Sequence, residues 1–251
     1  MTSDEIRMKI AEAAESLDAE LHKDTYAEVH ADDAQLTRLL SFMSQTRQQV
    51  VLDLGTGAGY VAMAIASKDL TCRVVGVDIA AKAITRNQEH VSLHGLSNLA
   101  FLIYDGVRLP FGDDQFETVV CRYAFHHLPR PEISLEELRR TVRKGGRLLL
   151  PDAIRNDDDD VDFINCFQEK RRDGHIRMHR QAELIGMINR HGFKLVEVFE
   201  SSISFARARN AGYDKLLAET PHQVLKTYFV DVGRRQIYIR FKILNAIFIN
   251  E

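Results

Sequence analysis

Residues 50–59, with the sequence VVLDLGTGAG, constrain the fold of this chain more than any other segment. The first five positions are apolar except for Asp53, which is typical of a strand buried on both faces. Three glycines then alternate with small residues, and residues 60–66 continue with helical spacing. Because glycine lacks a Cβ, such a loop can turn sharply and approach a ligand closely. The segment predicts a strand, a ligand-binding loop and a helix whose first N–H groups face an anionic ligand group.

A second predicted strand, at 73–77, is followed directly by Asp78. A carboxylate at this point can accept hydrogen bonds from both hydroxyls of an adenosyl ribose. Nicotinamide enzymes share these signals, but their loop separates its last two glycines by two residues. Here only Ala58 lies between Gly57 and Gly59, so the spacing disfavours a dehydrogenase.

Strand-like runs at 49–54, 73–77, 99–103, 116–121 and 146–150 alternate with helical segments. This alternation of strands and helices predicts an α/β fold with a parallel sheet and helices on both faces. Further strands at 194–200 and 236–250, the first preceded by a helix at 180–190, complete a Rossmann-like sheet of seven mostly parallel strands. Such sheets bind ligands beyond the carboxyl ends of their strands.

The chain is predicted to form one domain, 1–251, with three segments. Helical spacing in 1–47 indicates helices that cover the open side of the ligand, capped at Asp32 or Asp33. The sheet motifs fall in the core, 48–155. The remainder, 156–251, begins with a run of acids at a helix start and holds a partial lid, mixed helical at 207–232, and the final strands.

Composition excludes several classes of protein. The 33 basic and 36 acidic residues give no positive surplus for binding a nucleic-acid backbone. The three cysteines have no metal-ligand spacing, so neither disulfides nor a metal site is predicted, and a cytoplasmic location is expected. The polar N-terminus is unlike a secretory signal, and the apolar tract 237–249 is too short and too charged to span a bilayer.

Four segments, in order, resemble the class I S-adenosylmethionine (SAM)-dependent methyltransferases: VLDLGTGAG, VVGVD, YDGVRLPFGDDQFETVVCRYAFHHL and LEELRRTVRKGGRLLLPD. Together they cover about residues 48–155. Within this family the chain is most similar to the type 11 group, which includes the ubiquinone and menaquinone C-methyltransferases and uncharacterised bacterial relatives. The resemblance implies SAM as cofactor, S-adenosylhomocysteine (SAH) as product and an antiparallel last strand.

The resemblance also implies roles on the cofactor side. Asp53 orients the loop and pairs indirectly with the ammonium of SAM, unless it is only a structural turn carboxylate. Asp78 holds the ribose diol, and the backbone carbonyl of Arg122, rather than its side chain, faces the amino group. The predicted cofactor-binding residues are Asp53, Gly55, Gly57, Gly59, Asp78, Ile79, Asp105, Gly106 and Arg122.

On the substrate side, His126 and His127 follow the fourth strand and are the predicted catalytic residues. A histidine can take a proton from a phenol or enol as the methyl group arrives. The alternative is that both histidines only satisfy backbone groups and shape the loop. Nearby aromatic side chains can line the sulfonium or belong to the core. A polar group at 172–177 can bind an acidic or phenolic substrate, or form a surface salt-bridge cluster. The predicted substrate residues are Tyr123, Phe125, Arg172, Asp173, His175 and Arg177.

Two departures from the family pattern weaken the transfer of roles. Only Tyr26 approximates the N-terminal aromatic pattern of many relatives, and Glu117 replaces their usual aspartate. The predicted function is methyl transfer from SAM to carbon or oxygen of a small phenol- or quinol-like molecule. The alternative is a non-catalytic SAM-binding sensor or inactive partner subunit. The predicted partner is a small-molecule acceptor, and the oligomeric state stays open.

Overall fold

A computed structural model describes residues 2–20, 32–43 and 48–251 of the chain. Tyr26 lies outside these residues. The helices are α1 Ser3–Glu20, α2 Asp33–Leu40, α3 Tyr60–Lys68, α4 Ala81–His94, α5 Pro131–Thr141, α6 Phe163–Glu169, α7 Gln181–Arg190, α8 Ala211–Glu219 and α9 His222–Thr227. The strands are β1 Val50–Leu54, β2 Arg73–Asp78, β3 Leu99–Ile103, β4 Phe116–Val120, β5 Val142–Ile154, β6 Phe193–Ala208, β7 Asp231–Val232 and β8 Gln236–Asn250.

These strands form one sheet in the order β3-β2-β1-β4-β5-β8-β6, with the two-residue β7 paired to β8. Neighbours from β3 to β5 are parallel, whereas β8 is antiparallel to both β5 and β6. The predicted Rossmann-like sheet with an antiparallel last strand is confirmed. The short β7 was not predicted, because two exposed residues carry no strand pattern.

Apolar residues on the two faces of the sheet pack under separate layers of helices. In β1, Val51 belongs to the cluster under α2, α3 and α4, whereas Leu52 belongs to the cluster under α5 and α7. Both side chains are fully buried. Since successive side chains of a strand point to opposite faces, this double burial explains the continuous apolar run in the sequence.

The last two long strands extend beyond the rest of the sheet. The pairing of β5 with β8 ends at Ile154 and Lys242, but β6 and β8 stay paired to Ala208 and Gln236. This two-stranded arm, with α8 and α9 between its strands, lies past the carboxyl ends of the parallel strands. The strand predicted at 194–200 is therefore only the part of β6 nearest the sheet.

The N-terminal helix α1 packs over the same end of the sheet. Asp18 in α1 accepts a hydrogen bond from the backbone N–H of Ala83, at the start of α4, at 3.1 Å. A Cβ built on Gly174 would lie 2.5 Å from the Cβ of Ala13 in α1, so this helix closely contacts the segment after α6. In the part of the chain that the structure describes, no helix is long and apolar enough to cross a membrane.

Candidate functional site

A cavity of about 230 Å³ lies at the carboxyl ends of β1, β2 and β4. Its walls come from the glycine loop after β1, the turn after β4, helix α1, the segment after α6 and the β6–β8 arm. This is the edge where doubly wound sheets bind their ligands.

The glycine loop needs glycine for two separate reasons. The φ angles of Gly55, Gly57 and Gly59 are 70°, 51° and 79°, a region that residues with a Cβ seldom occupy. In addition, a Cβ on Gly55 would lie 2.4 Å from the Cβ of Ala124, which belongs to the turn after β4. The loop and that turn therefore form adjacent walls of one cavity.

Two buried carboxylates line the cavity beside the loop. Asp53 accepts hydrogen bonds from the Thr56 hydroxyl at 2.6 Å and the Ala62 N–H at 3.1 Å. Asp78 accepts hydrogen bonds from the backbone N–H groups of Gly57 at 2.8 Å and Ala80 at 3.0 Å. Burial outweighs these hydrogen bonds and raises the pKa of Asp53 to about 6, and burial raises the pKa of Asp78 as well.

The residues predicted to border adenine are placed differently from one another. Ile79 and Gly106 line the cavity. Gly106 has a φ of 80°, and a Cβ there would lie 3.1 Å from the Ile10 side chain of α1. Asp105 does not line the cavity, and its exposed carboxylate accepts hydrogen bonds from the N–H groups of two residues that follow in its own turn, at 2.8 and 2.7 Å.

Arg122 and Tyr123 lie in the turn after β4, and both residues line the cavity. The Arg122 guanidinium lies 4.2 Å from the centre of the Tyr123 ring and 5.1 Å from that of Tyr60, distances typical of cation–π contacts. Gln35 of α2 accepts a hydrogen bond from Arg122 Nε at 3.1 Å and also contacts the Tyr123 hydroxyl. Tyr123 has a φ of 56°, and such strained backbone is concentrated at functional sites.

The two predicted catalytic histidines both line the cavity but have different surroundings. His126 Nδ1 lies 2.5 Å from Asp152 Oδ1. Burial opposes protonation of His126, but the charge and hydrogen bond of Asp152 outweigh burial, so the pKa of His126 is raised. Burial and the neighbouring His126 lower the pKa of His127 to about 4. The Nδ1 atom of His127 is buried without a hydrogen-bond partner in the described part of the protein.

The remaining predicted substrate residues are only partly brought together. Asp173 lines the cavity, and the buried His175 ring lies 5.7 Å from the His126 ring. Arg172 is exposed, and Arg177 points outward to lie 3.9 Å from Glu183.

Phe125 is 2% exposed, belongs to the core cluster under α5 and α7, and does not line the cavity. In the described ranges, no group of three or more His, Cys, Asp or Glu side chains is placed to hold a metal ion.

Several residues around the cavity were not predicted from the sequence. Asp152 lies in β5 after Pro151. An acidic residue within an otherwise apolar strand is the sequence signal that could have indicated it as a candidate site residue. Other unpredicted residues have no local signal, because they reach the cavity from distant elements. They are Ile10, Ala13 and Leu17 of α1, Arg171 after α6, and Ile203, Phe205, Phe241 and Ile243 of the arm.

Comparisons with known proteins agree with this architecture. The YcgJ protein of Bacillus subtilis, named an uncharacterised methyltransferase, is 29% identical over 175 residues, which are 69% of this chain and 68% of YcgJ. Its crystal structure matches with a TM-score of 0.75 and 20% identity over 88% of this chain and 99% of that one. A demethylmenaquinone methyltransferase of Thermus thermophilus is 31% identical over 128 residues, but these are 46% of this chain and 58% of the relative.

A family model described as a methyltransferase domain matches residues 45–200. Since this match spans more than half of the chain, the protein belongs to that methyltransferase family, and the predicted relationship to SAM-dependent methyltransferases is confirmed.

Proposed function

We propose that this SAM-dependent methyltransferase transfers the methyl group to carbon or oxygen of a small phenol- or quinol-like molecule. The observation that carries the proposal is that the two buried carboxylates of the glycine loop side and His126, with its own carboxylate partner, line the same cavity. Groups suited to hold SAM and a group suited to take a proton thus line one cavity.

The residues of the loop side fit SAM on chemical grounds. The molecule has an ammonium, a carboxylate, a ribose diol and an adenine, and it supplies a methyl group on a sulfonium sulfur that leaves as a neutral thioether. Asp53 would attract the ammonium, and Asp78 can accept from the diol while it keeps its two backbone hydrogen bonds. Ile79 and Gly106 would border the adenine.

We further propose that the Arg122 side chain, in addition to its backbone carbonyl, faces the cofactor. Arg122 lines the cavity, and its positive charge opposes the rise of the Asp53 pKa. A cation beside the carboxylate that attracts the ammonium fits the neighbouring carboxylate of the same amino acid. The two flanking rings and Gln35 hold the guanidinium in place.

The part of the cavity farther from the loop supports an aromatic acceptor. Its walls combine the apolar side chains of Met178, Phe205, Phe241 and Ile243 with the polar residues Gln168, Arg171, Asp173 and Arg207. Apolar walls with placed polar groups are typical of sites for small organic ligands. The Thermus relative is named for a quinone precursor, which supports a quinol-like acceptor.

A cytoplasmic setting, which we also propose, agrees with the free thiols of Cys72, Cys121 and Cys166.

The test is turnover with a panel of phenols, catechols and hydroquinones. Purified protein and SAM are incubated with each compound, and SAH and the methylated product are quantified together by mass spectrometry. We expect equal amounts of both with at least one acceptor. Asp78→Ala, which removes the proposed ribose contact, should lose most of this turnover at low SAM concentration.

Calorimetric titration with SAH separates the alternatives. Tight SAH binding without product across the panel would favour a non-catalytic SAM-binding sensor or an inactive partner subunit. No binding of SAM or SAH at millimolar concentration would refute the proposed cofactor site itself.

A further inference from the structure

We propose that Asp152 is the positioning residue that makes His126, and not His127, the proton acceptor during methyl transfer. The inference rests on the proposed function, because it concerns the proton that a hydroxylated acceptor loses. Asp152 lies within β5 and is 1% exposed. The residue reaches His126 across the boundary between β5 and the turn after β4.

Asp152 holds both the ring and the backbone of His126. Its Oδ1 atom lies 2.5 Å from the Nδ1 atom of His126, and its Oδ2 atom accepts the backbone N–H of the same residue at 2.8 Å. Oδ1 also accepts the N–H of Ala153 at 2.8 Å. A carboxylate with three such bonds has little freedom to move, so the ring that it holds is fixed in one orientation.

The contact assigns the tautomer of His126. A carboxylate only accepts hydrogen bonds, so Nδ1 of His126 must carry the proton and donate it to Asp152. The unprotonated nitrogen is then Nε2, on the opposite side of a ring that lines the cavity. His126 is thus fixed in the form that a proton acceptor needs, with its lone pair away from the supporting carboxylate.

The His127 ring is held differently. It has a hydrogen bond to the backbone of Gly174, but its Nδ1 atom has no hydrogen-bond partner among the described residues, and the His126 ring lies 4.3 Å from its own. Because burial and His126 disfavour the imidazolium, the pKa of His127 is lowered to about 4. Of the two rings, His126 is therefore the one that can take up the proton and hold the resulting charge.

Charged and titratable groups face His126 from three elements. Asp152 of β5 and Asp173 after α6 favour the imidazolium, whereas Arg171 after α6 opposes it. His127 and His175 are also close, but both are held neutral by burial and by His126, so they add no positive charge near pH 7. Asp152 makes the closest of these contacts and is the dominant counter-ion.

The proton and charge balance is simple. The acceptor hydroxyl releases its proton to Nε2 of His126, and the electron pair left on the acceptor forms the new bond to the methyl carbon. The positive charge that the sulfonium loses reappears on the imidazolium, opposite Asp152. Deprotonation by solvent then restores neutral His126 for the next cycle.

The first test uses the unmodified protein saturated with SAH. Long-range ¹⁵N–¹H correlation spectra identify the tautomer of each histidine, and His126→Gln assigns the His126 signal. Above its titration midpoint we expect His126 with Nδ1 protonated and Nε2 unprotonated, and this midpoint should lie at higher pH than that of His127. A neutral His126 ring protonated at Nε2 instead, or a His126 midpoint below that of His127, would overturn the proposal.

The second test compares Asp152→Asn with Asp152→Glu, and with Asp114→Asn as a matched control at an exposed loop position. Loss of the charge should lower the His126 titration midpoint and reduce kcat between about tenfold and a thousandfold, within the range of general-base effects. The calorimetric Kd for SAH should change less than twofold. Asp152→Glu should restore part of kcat, and Asp114→Asn should match wild type.

Unchanged kcat and unchanged His126 titration in Asp152→Asn would refute the positioning role. If circular dichroism shows that Asp152→Asn does not fold, the positioning role is tested instead by the His126 tautomer in the wild type and by the His126 titration in Asp152→Glu. The spectra do not require turnover. If the spectra show His126 protonated at Nδ1 but no acceptor is methylated, the proposed function and the catalytic part of this inference are both contradicted. If the enzyme methylates an acceptor but neutral His126 is protonated at Nε2, this inference alone is contradicted.

Discussion

The proposed role of Asp53 predicts that cofactor affinity depends on pH, in a direction that the burial of Asp53 determines. The side chain is 2% exposed, and burial raises its pKa from 3.8 to about 6 despite hydrogen bonds from Thr56 and Ala62. Only the ionised carboxylate attracts the ammonium of SAM or SAH, so the proton competes with the ligand. Affinity should therefore increase as the pH rises through about 6.

The size of the effect follows from this pKa. With a midpoint of about 6, roughly nine-tenths of Asp53 is ionised at pH 7 and roughly one-tenth at pH 5. The Kd for SAH should thus be about tenfold weaker at pH 5, equal to about 1.4 kcal/mol. The pKa of Asp78 is raised in the same direction, so its protonation can only steepen the loss.

Calorimetric titration with SAH at pH 5, 6 and 7 measures the effect directly. Without ligand the folded protein holds the Asp53 proton more tightly than the unfolded chain does. Asp53 therefore contributes stability below about pH 4, and this contribution is lost as pH rises through about 6. Because SAH should bind more weakly at pH 5, the increase in Tm that SAH causes should be smaller at pH 5 than at pH 7. Asp53→Asn should bind weakly and lose most of the pH dependence, and a wild-type Kd that is constant across this range would refute the reasoning.

Three substitutions test the rest of the cofactor site. Gly55→Ala should lower the free energy of unfolding by more than the ~1–2 kcal/mol cost of a left-handed residue, because the new Cβ meets Ala124. The control is Gly95→Ala, which has a φ of 64° and no atom within 4 Å of the new Cβ, so it measures the backbone cost alone. Equal losses for the two variants in chemical denaturation would contradict the contact with Ala124. Asp78→Ala should weaken calorimetric SAH binding by about 1–3 kcal/mol, and unchanged affinity would remove its assigned role. Arg122→Gln should weaken SAH binding by about 1.5–3 kcal/mol but leave adenosine binding unchanged; equal losses for both ligands would argue against a carboxylate contact.

The sheet could be predicted because its signals are local. The apolar runs of β1, β2 and β4 are buried on both faces, so each reads as a strand without knowledge of its neighbours. The ends of β5 could not be predicted in the same way. This strand extends to Ile154 because β8 pairs with it as far as Lys242, and that pairing partner lies far along the chain. The proposed division of the domain at 47 and 155 stays a prediction.

In the candidate site, too, residues with a local sequence signal could be predicted, whereas residues placed by distant contacts could not. Residues next to the ends of β1 and β2, such as Asp53 and Asp78, line the cavity where the motif indicated. In the segment 172–177 the spacing alone could not distinguish Asp173, which lines the cavity, from the exposed Arg172. Arg172 has a φ of 55°, a left-handed backbone conformation that nothing in the sequence indicated.

This difference has a physical origin that bears on the function. The proposed cofactor side is built from backbone turns and from carboxylates within a few residues of them, so a contiguous motif specifies it. The proposed acceptor side depends on contacts between distant segments: Ile176 and Arg177 both donate backbone N–H groups to the His126 carbonyl, and Asp152 holds the His126 ring. The His126 turn is thus held by β5 on one side and by the segment after α6 on the other. Changes in that segment or in the β6–β8 arm would therefore reshape the proposed acceptor side while the glycine loop stays intact, as expected for a fold that can host different functions on one scaffold.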